Sequence, residues 1–266
     1  MSPAESTLEH TRASFRQLVA EAGLNDAAVT VRATPLSPEQ AIGTPTRKDF
    51  PILVGKERVV EAEIRGAKGH AFTDAPRPFR GTLREVTELS LHTNAERAIY
   101  VASLNATLRK LGRAQGTVHC KDDDPERCAP EIAAALQREF ESLHSERADP
   151  LPAPRVGLVG LNPALAEGLV RAFGAAQVRI VDLNPDNIGT TRFGVMIGDG
   201  SQDMDGLVDF ADIVLLTGTT LVNATFDDIW RRVQQRGKRG IVFGVTAAGV
   251  AALEGLPRLC PCGRDE

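Results

Sequence analysis

The sequence lacks most of the features that mark nucleic-acid-binding, membrane-spanning and secreted proteins. Its aromatic residues are only ten Phe, one Trp and one Tyr, and its net charge of −4 is spread along the chain without a basic stripe. A nucleic-acid partner, which needs cations and stacking rings, is therefore not expected. The longest near-apolar run, IVFGVTAAGVAAL, is too short to cross a bilayer, and the N-terminal MSPAESTLEHTRASF has neither the basic start nor the apolar core of a signal peptide. These absences predict a cytoplasmic protein with no membrane partner.

The first half of the chain has the pattern of an α+β unit. A helix is predicted at 5–22, a strand at 27–33, a hairpin at 50–64 and a further strand at 69–73. Thr93 and Glu96 form a capping box ahead of a helix that ends near Gly112. Pro130 is placed to begin a second helix. Strands followed by helices are typical of an α+β domain, here residues 1–150.

After a polar, Pro-rich segment at 145–154, strands and helices alternate. The predicted strands are 155–160, 177–182, 193–198, 212–218 and 240–245, and the predicted helices are 163–173 and 225–237. Such alternation predicts a Rossmann-like, doubly wound parallel sheet over residues 151–266. The expected fold class is therefore α/β, with an α+β domain followed by this sheet.

Ligands of open parallel sheets bind beyond the carboxyl ends of the strands, where this sequence has three polar turns. In the first, VGLVGLNPALAEG, Asn162 can cap the next helix and Pro163 fits its first turn, so that free N–H groups near Gly160 would favour an anion or a polar ligand. A tight turn without a ligand explains these residues equally well. In the second turn, Asp182 ends a strand where a carboxylate commonly meets ribose hydroxyls, or else it caps the following turn with Asn184.

The third turn, LLTGTTLVNAT, is the most specific of the three. After a buried apolar strand it places Thr217, Gly218, Thr219, Thr220 and Asn223. A helix cap needs one hydroxyl, which Thr225 already offers. The surplus of uncharged donors and acceptors predicts recognition of a neutral heterocycle or a carboxylate. The alternative is a hydroxyl-rich turn that is hydrogen-bonded to itself.

Together with GAKGHAFTDAP and RAIYVASLNATLRKLG, these turns resemble the putative heavy-metal chelation family, over most of both halves of the chain. The resemblance implies an enolase N-terminal-like domain followed by a Rossmann-like domain that partly resembles methyltransferases, with an active site in the cleft between them. It implies ligand contacts at Gly160, Asn162 and Pro163, along the third turn, and at Asn105. The roles it implies are heavy-metal chelation, or condensation or hydrolysis of flavin-, pterin- or siderophore-like molecules.

Asn105 and His70, in the first half, have two interpretations each. Asn105 lies on the apolar stripe of its predicted helix, so it needs either a ligand or a backbone partner. His70 is more readily structural than catalytic as a lone histidine. With Glu61, Glu63 and Asp182 it is a candidate for proton transfer, without geometry to choose among them.

The four cysteines fall in two pairs, one in TVHCKDDDPERCAP and one in RLCPCGRDE. In an extended segment the neighbours His119 and Cys120 would point to opposite faces, so one ion would not take both. If the C-terminal tail folds back onto the first domain, four thiols could meet around one ion, namely Cys120, Cys128, Cys260 and Cys262. Thiolates would favour Zn²⁺, Cu(I) or an iron–sulfur cluster. Four ordinary cysteines and a loosely held tail are the alternative.

The sequence thus predicts a two-domain protein that binds a metal, or a metal-chelating small molecule, in an interdomain cleft. The alternative is an enzyme that condenses or hydrolyses a heteroaromatic molecule, and the sequence does not decide between the two. A small molecule or a metal ion is the expected partner, and a homo-oligomer is compatible with the sequence.

Overall fold

The computed structural model describes residues 6–32, 35–54, 57–146 and 152–265, which form a mixed α/β fold with two sheets. The helices are α1 Thr7–Glu21, α2 Pro38–Ile42, α3 Leu83–Thr87, α4 Asn94–Lys110, α5 Asp124–Leu143, α6 Pro163–Phe173, α7 Met204–Phe210, α8 Thr219–Val222, α9 Phe226–Gln235 and α10 Ala248–Glu254. The strands are β1 Ala28–Val31, β2 Arg58–Ile64, β3 Ala67–Thr73, β4 Phe79–Thr82, β5 Val156–Val159, β6 Val178–Asp182, β7 Thr191–Arg192, β8 Val195–Asp199, β9 Ile213–Thr217, β10 Arg239–Phe243 and β11 Arg258–Leu259. Within these ranges, every helix is too short or too polar to span a bilayer.

The first sheet is antiparallel, with the strand order β3-β2-β1-β4. Strands β2 and β3 are joined by Arg65 and Gly66, whose φ angles of 49° and 82° are those of a two-residue hairpin turn. The predicted hairpin at 50–64 is therefore wrong, because β2 pairs with the strand that follows it rather than with the turn that precedes it. Two residues of that predicted hairpin, 55 and 56, lie outside the described part of the chain.

The second sheet has the order β11-β10-β9-β5-β6-β8-β7. Its pairs β9–β5, β5–β6, β6–β8 and β10–β11 are parallel, which confirms the alternation of strands and helices predicted for the second half. Helix α6 has the bounds predicted for it, since Asn162 caps it and Pro163 is its first residue. The antiparallel hairpin of β7 and β8 was not predicted.

The chain forms two compact units. Unit 1 contains Met1–Asp122, Gly218–Asp227 and Val242–Glu266, and unit 2 contains Asp123–Thr217 and Asp228–Ile241. Unit 1 therefore takes three separate segments of the sequence. The predicted domains 1–150 and 151–266 stay a prediction, since they concern segments that fold on their own rather than residues that are close together in space.

Helix α4 is the core of unit 1. Its capping box between Thr93 and Glu96 is confirmed. All residues from Ala98 to Leu108 are buried, so this part of the helix is enclosed on every side and not along one stripe. It lies directly on β3, where a Cβ atom at Gly69 would be 2.4 Å from the carbonyl oxygen of Ala102.

Helix α5, in unit 2, begins six residues earlier than predicted. It starts at Asp124, with Pro125 in its first turn, and Pro130 lies inside it. Proline fits the first turn of a helix because that position needs no N–H donor. Both Pro125 and Pro130 could occupy the first turn of this helix, and the structure has Pro125 there.

Candidate functional site

The first polar turn, in unit 2, is tightly bonded to itself. The Gly160 N–H donates to the carbonyl of Val181 at 2.9 Å, and Gly160 has a φ of 86°. The Oδ1 atom of Asn162 accepts from the Leu165 N–H at 3.0 Å, as a helix cap does. The predicted cap at Asn162 is confirmed, and it uses one of the N–H groups that an anion would otherwise find at the start of α6.

Asp182 holds the same turn from the neighbouring strand. Its Oδ2 accepts from the Leu161 N–H at 2.7 Å, and its Oδ1 accepts from the Asn184 N–H at 2.6 Å. Both carboxylate oxygens therefore have backbone partners. This geometry is that of the turn cap considered for Asp182, whereas contact with a ribose stays a prediction.

The first and third turns touch each other in unit 2. A Cβ atom at Gly160 would be 2.6 Å from the Cγ2 atom of Thr217. Glycine is needed here because of this approach as well as the positive φ. The structure thus brings together Gly160 and Thr217, two of the residues predicted to line a ligand site.

The rest of the third turn belongs to unit 1. The Gly218 N–H donates to the carbonyl of Phe243 at 2.9 Å, and a Cβ atom at Gly218 would be 2.7 Å from the Ala247 nitrogen. Thr219 and Thr220 begin the short helix α8, with Thr220 buried and Thr219 half-buried. Asn223 accepts from the N–H of Thr225 at 3.2 Å and from its hydroxyl at 2.7 Å. At Asn223, therefore, the turn is bonded to itself, and its role in ligand binding stays a prediction.

Asn105 is completely buried in unit 1. Its Nδ2 atom donates to the carbonyls of His70 at 2.9 Å, Val245 at 3.1 Å and Thr246 at 3.3 Å, and its Oδ1 accepts from the Gly249 N–H at 2.6 Å. The side chain thus joins α4, β3 and the turn after β10. Of the two interpretations considered for Asn105, the backbone partner describes what the structure contains.

Glu61 and His70 face each other across β2 and β3 and are 5% and 1% exposed. The Nδ1 atom of His70 accepts from the backbone N–H of His119 at 3.2 Å, so Nε2 carries the proton and donates to Glu61 Oε2 at 3.0 Å. Both ring nitrogens are therefore engaged. Sequence reasoning named both residues as candidates for proton transfer, and the structure pairs them without leaving an imidazole nitrogen for a substrate.

The surroundings of Glu61 keep it ionised. Burial raises its pKa, but the hydrogen bond from His70 and the cations Lys68 and Arg32 outweigh burial, and the net effect lowers the pKa. Arg32 Nε is 3.2 Å from Glu61 Oε1, and Lys68 Nζ is 3.9 Å from Oε2. The buried carboxylate of Glu61 is thus paired with two cations whose side chains stay partly exposed.

His119 and Cys120 lie closer together than predicted. The Nδ1 atom of His119 is 2.5 Å from the Cys120 carbonyl oxygen and 3.8 Å from Cys120 Sγ. The expectation that the two side chains point to opposite faces is therefore wrong. The short Nδ1 contact turns the imidazole toward its neighbour, and the ring also packs edge-on against Phe72 at 5.1 Å.

The C-terminal tail is docked against residues 115–118 within unit 1. Val118 and Arg264 exchange both backbone hydrogen bonds, at 3.0 and 2.8 Å. The Arg258 guanidinium donates to the carbonyls of Gln115 at 3.0 Å and Gly116 at 2.7 Å. Asp265 Oδ1 accepts from the Gly116 N–H at 2.7 Å. The fold-back of the tail, on which the predicted thiol site depended, is present.

The four cysteines are all thiols. Cys120 is buried, Cys128 lies on α5 of unit 2, and Cys260 and Cys262 flank Pro261 in a turn of the tail. Burial raises the pKa of Cys260, while the positive charge of Arg258 and the neighbouring Gly263 N–H lower it by less. In the described ranges, no three His, Cys, Asp or Glu side chains form a group that could hold an ion. The four-thiol site stays a prediction, without support from this geometry.

Sequence reasoning missed the turn GVTAAG, which follows β10. The hydroxyl of Thr246 accepts from the Phe72 N–H at 3.1 Å, and Gly249 is the donor to Asn105. A signal was present, since a buried strand followed by Gly and Thr repeats the pattern of the third turn. In the sequence, this turn lies within the apolar run IVFGVTAAGVAAL, which hides it.

Residues 146–257 match the model of a family described as putative heavy-metal chelation, which confirms the predicted resemblance for this part of the chain. A protein of unknown function from the same family, from Pyrococcus horikoshii, is similar over 91% of this chain and 80% of its own, with 13% identity and a TM-score of 0.52. A second one, from Desulfitobacterium hafniense, is similar over 74% of this chain and 72% of its own, with 12% identity and a TM-score of 0.46. None of the curated proteins matches.

The likeness to the Pyrococcus protein shows a shared fold. All four cysteines lie outside the matched residues, since the match begins after Cys128 and ends before Cys260. The family description therefore names no ligand among them. The cleft between domains, which the resemblance implies, also stays a prediction.

Proposed function

We propose that this protein binds a thiophilic heavy-metal ion through cysteines of unit 1. The observation that carries the proposal is the docked tail, which fixes Cys260 and Cys262 beside the segment that leads to Cys120. The family description of residues 146–257 supports a metal as the ligand. Thiolates select soft ions such as Cu(I) or Zn²⁺ over Mg²⁺ and Ca²⁺.

The expected binding is direct, because the docked tail itself supplies thiol ligands. A ligand that binds only the folded chain raises its melting temperature by mass action. The chain, stripped of metal and kept without oxygen, should therefore melt at a higher temperature with Cu(I) or Zn²⁺ than alone, and should not respond to Mg²⁺.

The matched control is the double variant Cys260→Ser/Cys262→Ser. It should melt like the wild-type chain without metal, because serine keeps the size of the side chain, and it should lose the response to thiophilic ions. An equal response in the variant would locate the metal elsewhere, and no response in either chain would refute the proposal.

The second candidate function is an enzyme that acts on a heteroaromatic molecule. It is favoured by Thr219, which stays half-buried just after the carboxyl end of β9 while Thr220 is buried. A panel of flavins and pterins should then raise the melting temperature of the wild-type chain and of the double cysteine variant alike. The response should disappear in Thr219→Ala, and if no such compound stabilises the wild-type chain, this candidate is rejected.

A further inference from the structure

Resting on the proposed function, we infer that the turn Cys260-Pro261-Cys262 alone holds the ion, as a bis-thiolate complex of the soft monovalent cation Cu(I). The inference differs from a four-thiol site in its ligands and in the ion it selects. It depends on three features of the docked tail, which are the closed turn, the space around Cys260 and the charge of Arg258.

The turn is closed and accessible. The Gly263 N–H donates to the Cys260 carbonyl at 3.1 Å, which bends the chain so that the two cysteines flank an exposed proline. Proline at the second position fixes φ and suits such a turn. Both cysteines are half-buried, and the exposed Pro261 is the one residue between them, so the turn faces solvent.

Gly263 makes room for the sulfur of Cys260. A Cβ atom at this position would be 3.1 Å from Cys260 Sγ and 2.8 Å from the Cα atom of Gly116. The tail is thus packed against residue 116 with no space for a side chain between them. The sulfur occupies a fixed position on the docked tail.

The number of donors selects the type of ion. Zn²⁺ in structural sites takes four ligands, and within residues 6–32, 35–54, 57–146 and 152–265 no group of three His, Cys, Asp or Glu is gathered. Cu(I) is satisfied by two thiolates in a linear arrangement, and soft sulfur ligands select it. Two thiols on one turn therefore suit Cu(I) and leave Zn²⁺ under-coordinated.

Charge points to the same ion. When Cu(I) binds, each thiol releases its proton to the solvent and two Cu–S bonds form, with no change of oxidation state. The product carries one negative charge. Arg258 lies two residues before Cys260, and the carbonyls of Gly116, Gln115 and Gly244 hold its guanidinium on the docked tail, where it supplies a positive charge. A divalent ion would give a neutral complex and gain less from this cation.

The test is a titration of the full chain with Cu(I) without oxygen, against a colorimetric Cu(I) chelator, together with X-ray absorption at the copper edge. We expect about one Cu(I) per chain with two sulfur neighbours. The bound ion should be lost in Cys260→Ser and in Cys262→Ser, and it should be kept in the matched controls Cys120→Ser and Cys128→Ser. Zn²⁺, titrated against a zinc indicator, should bind much more weakly.

The outcomes separate this inference from the proposed function. Three results would overturn the two-thiol site: loss of the metal in Cys120→Ser or Cys128→Ser, three or four sulfur neighbours of the copper, or tighter binding of Zn²⁺. Each of them would still agree with the proposed function, which is binding of a heavy-metal ion. The absence of any bound thiophilic ion would overturn both. The absorption spectrum of the wild-type chain gives the sulfur count even if a variant fails to fold.

Discussion

Asn105 has all its polar atoms inside the protein, and each of them has a backbone partner. An amide side chain offers two donor hydrogens and an oxygen acceptor, which matches the carbonyls of His70 and of the turn after β10 together with the Gly249 N–H. Buried polar groups are costly when they lose their partners and nearly neutral when they are satisfied. At the residue scale, the buried side chain of Asn105 therefore holds the turn after β10 against α4 and β3.

Replacing Asn105 by Ala should lower the free energy of unfolding by about 3 kcal/mol, since the Gly249 N–H and the carbonyl groups would be buried without partners. Urea denaturation of the two chains measures the difference. The control Asn187→Ala, at a partly exposed position, should change stability by no more than about 0.5 kcal/mol. Equal effects at the two positions would show that the hydrogen bonds of Asn105 contribute little.

Glu61 should make stability depend on pH. Its pKa in the folded chain is lowered, so the ionised carboxylate stabilises the fold above the pKa of an unfolded glutamate, about 4.3, and this contribution disappears as the pH falls through the lower folded value. Urea denaturation should therefore find the wild-type chain more stable than Glu61→Gln at neutral pH.

The difference between wild type and Glu61→Gln should shrink steadily in more acidic solution. Glu63→Gln, an exposed change on the same strand, serves as the control and should have little effect at neutral pH. A wild-type advantage that stays constant into acid would mean that ionisation of Glu61 is not its source.

At the scale of elements, the second half of the chain was predictable because short apolar strands, a helix cap and punctuating glycines all agree. The first half was harder. The turn of Arg65 and Gly66 contains no Asn-Gly or Asp-Gly signal, and the β-branched residues at 50–54 looked equally able to pair with β2. The sequence around Pro125 and Pro130 likewise did not show which of the two prolines begins helix α5. Elements defined by strong local signals could be predicted, and those chosen by long-range pairing could not.

The contact between α4 and β3 gives a prediction at this scale. Gly69→Ala should destabilise the chain by about 2 kcal/mol or more, because the new methyl group would meet the backbone of Ala102 and Ala106 at 2.4 Å and force the two elements apart. The change is measured by urea denaturation.

The matched control is Gly206→Ala, at an exposed position of helix α7. Gly206 is on the exposed face of this helix, and the nearest heavy atom to a new Cβ is 3.9 Å away. Alanine favours the helix by about 0.5 to 1 kcal/mol, so this variant should be as stable as the wild type or more so. A neutral Gly69→Ala would mean that α4 can shift from β3 without cost.

At the scale of the whole molecule, the sequence indicated the possibility of a docked tail but not its means. Arg258 reaches the carbonyls of Gln115 and Gly116, which are more than 140 positions away in the sequence, and no local pattern marks such a contact. Three of the predicted ligand residues also form hydrogen bonds within the protein. Asn105, Asp182 and Asn223 each satisfy backbone or side-chain groups nearby, so the sequence located polar turns correctly without revealing what they bind.

The most direct test of the central claim is elemental analysis of the full chain purified without oxygen from copper- and zinc-supplemented cells, beside Cys260→Ser/Cys262→Ser. The account predicts about one thiophilic ion per wild-type chain, with copper in excess of zinc, and none in the variant. Equal metal content in the two proteins, or no metal in the wild-type chain, would contradict the claim that the docked tail is the metal site.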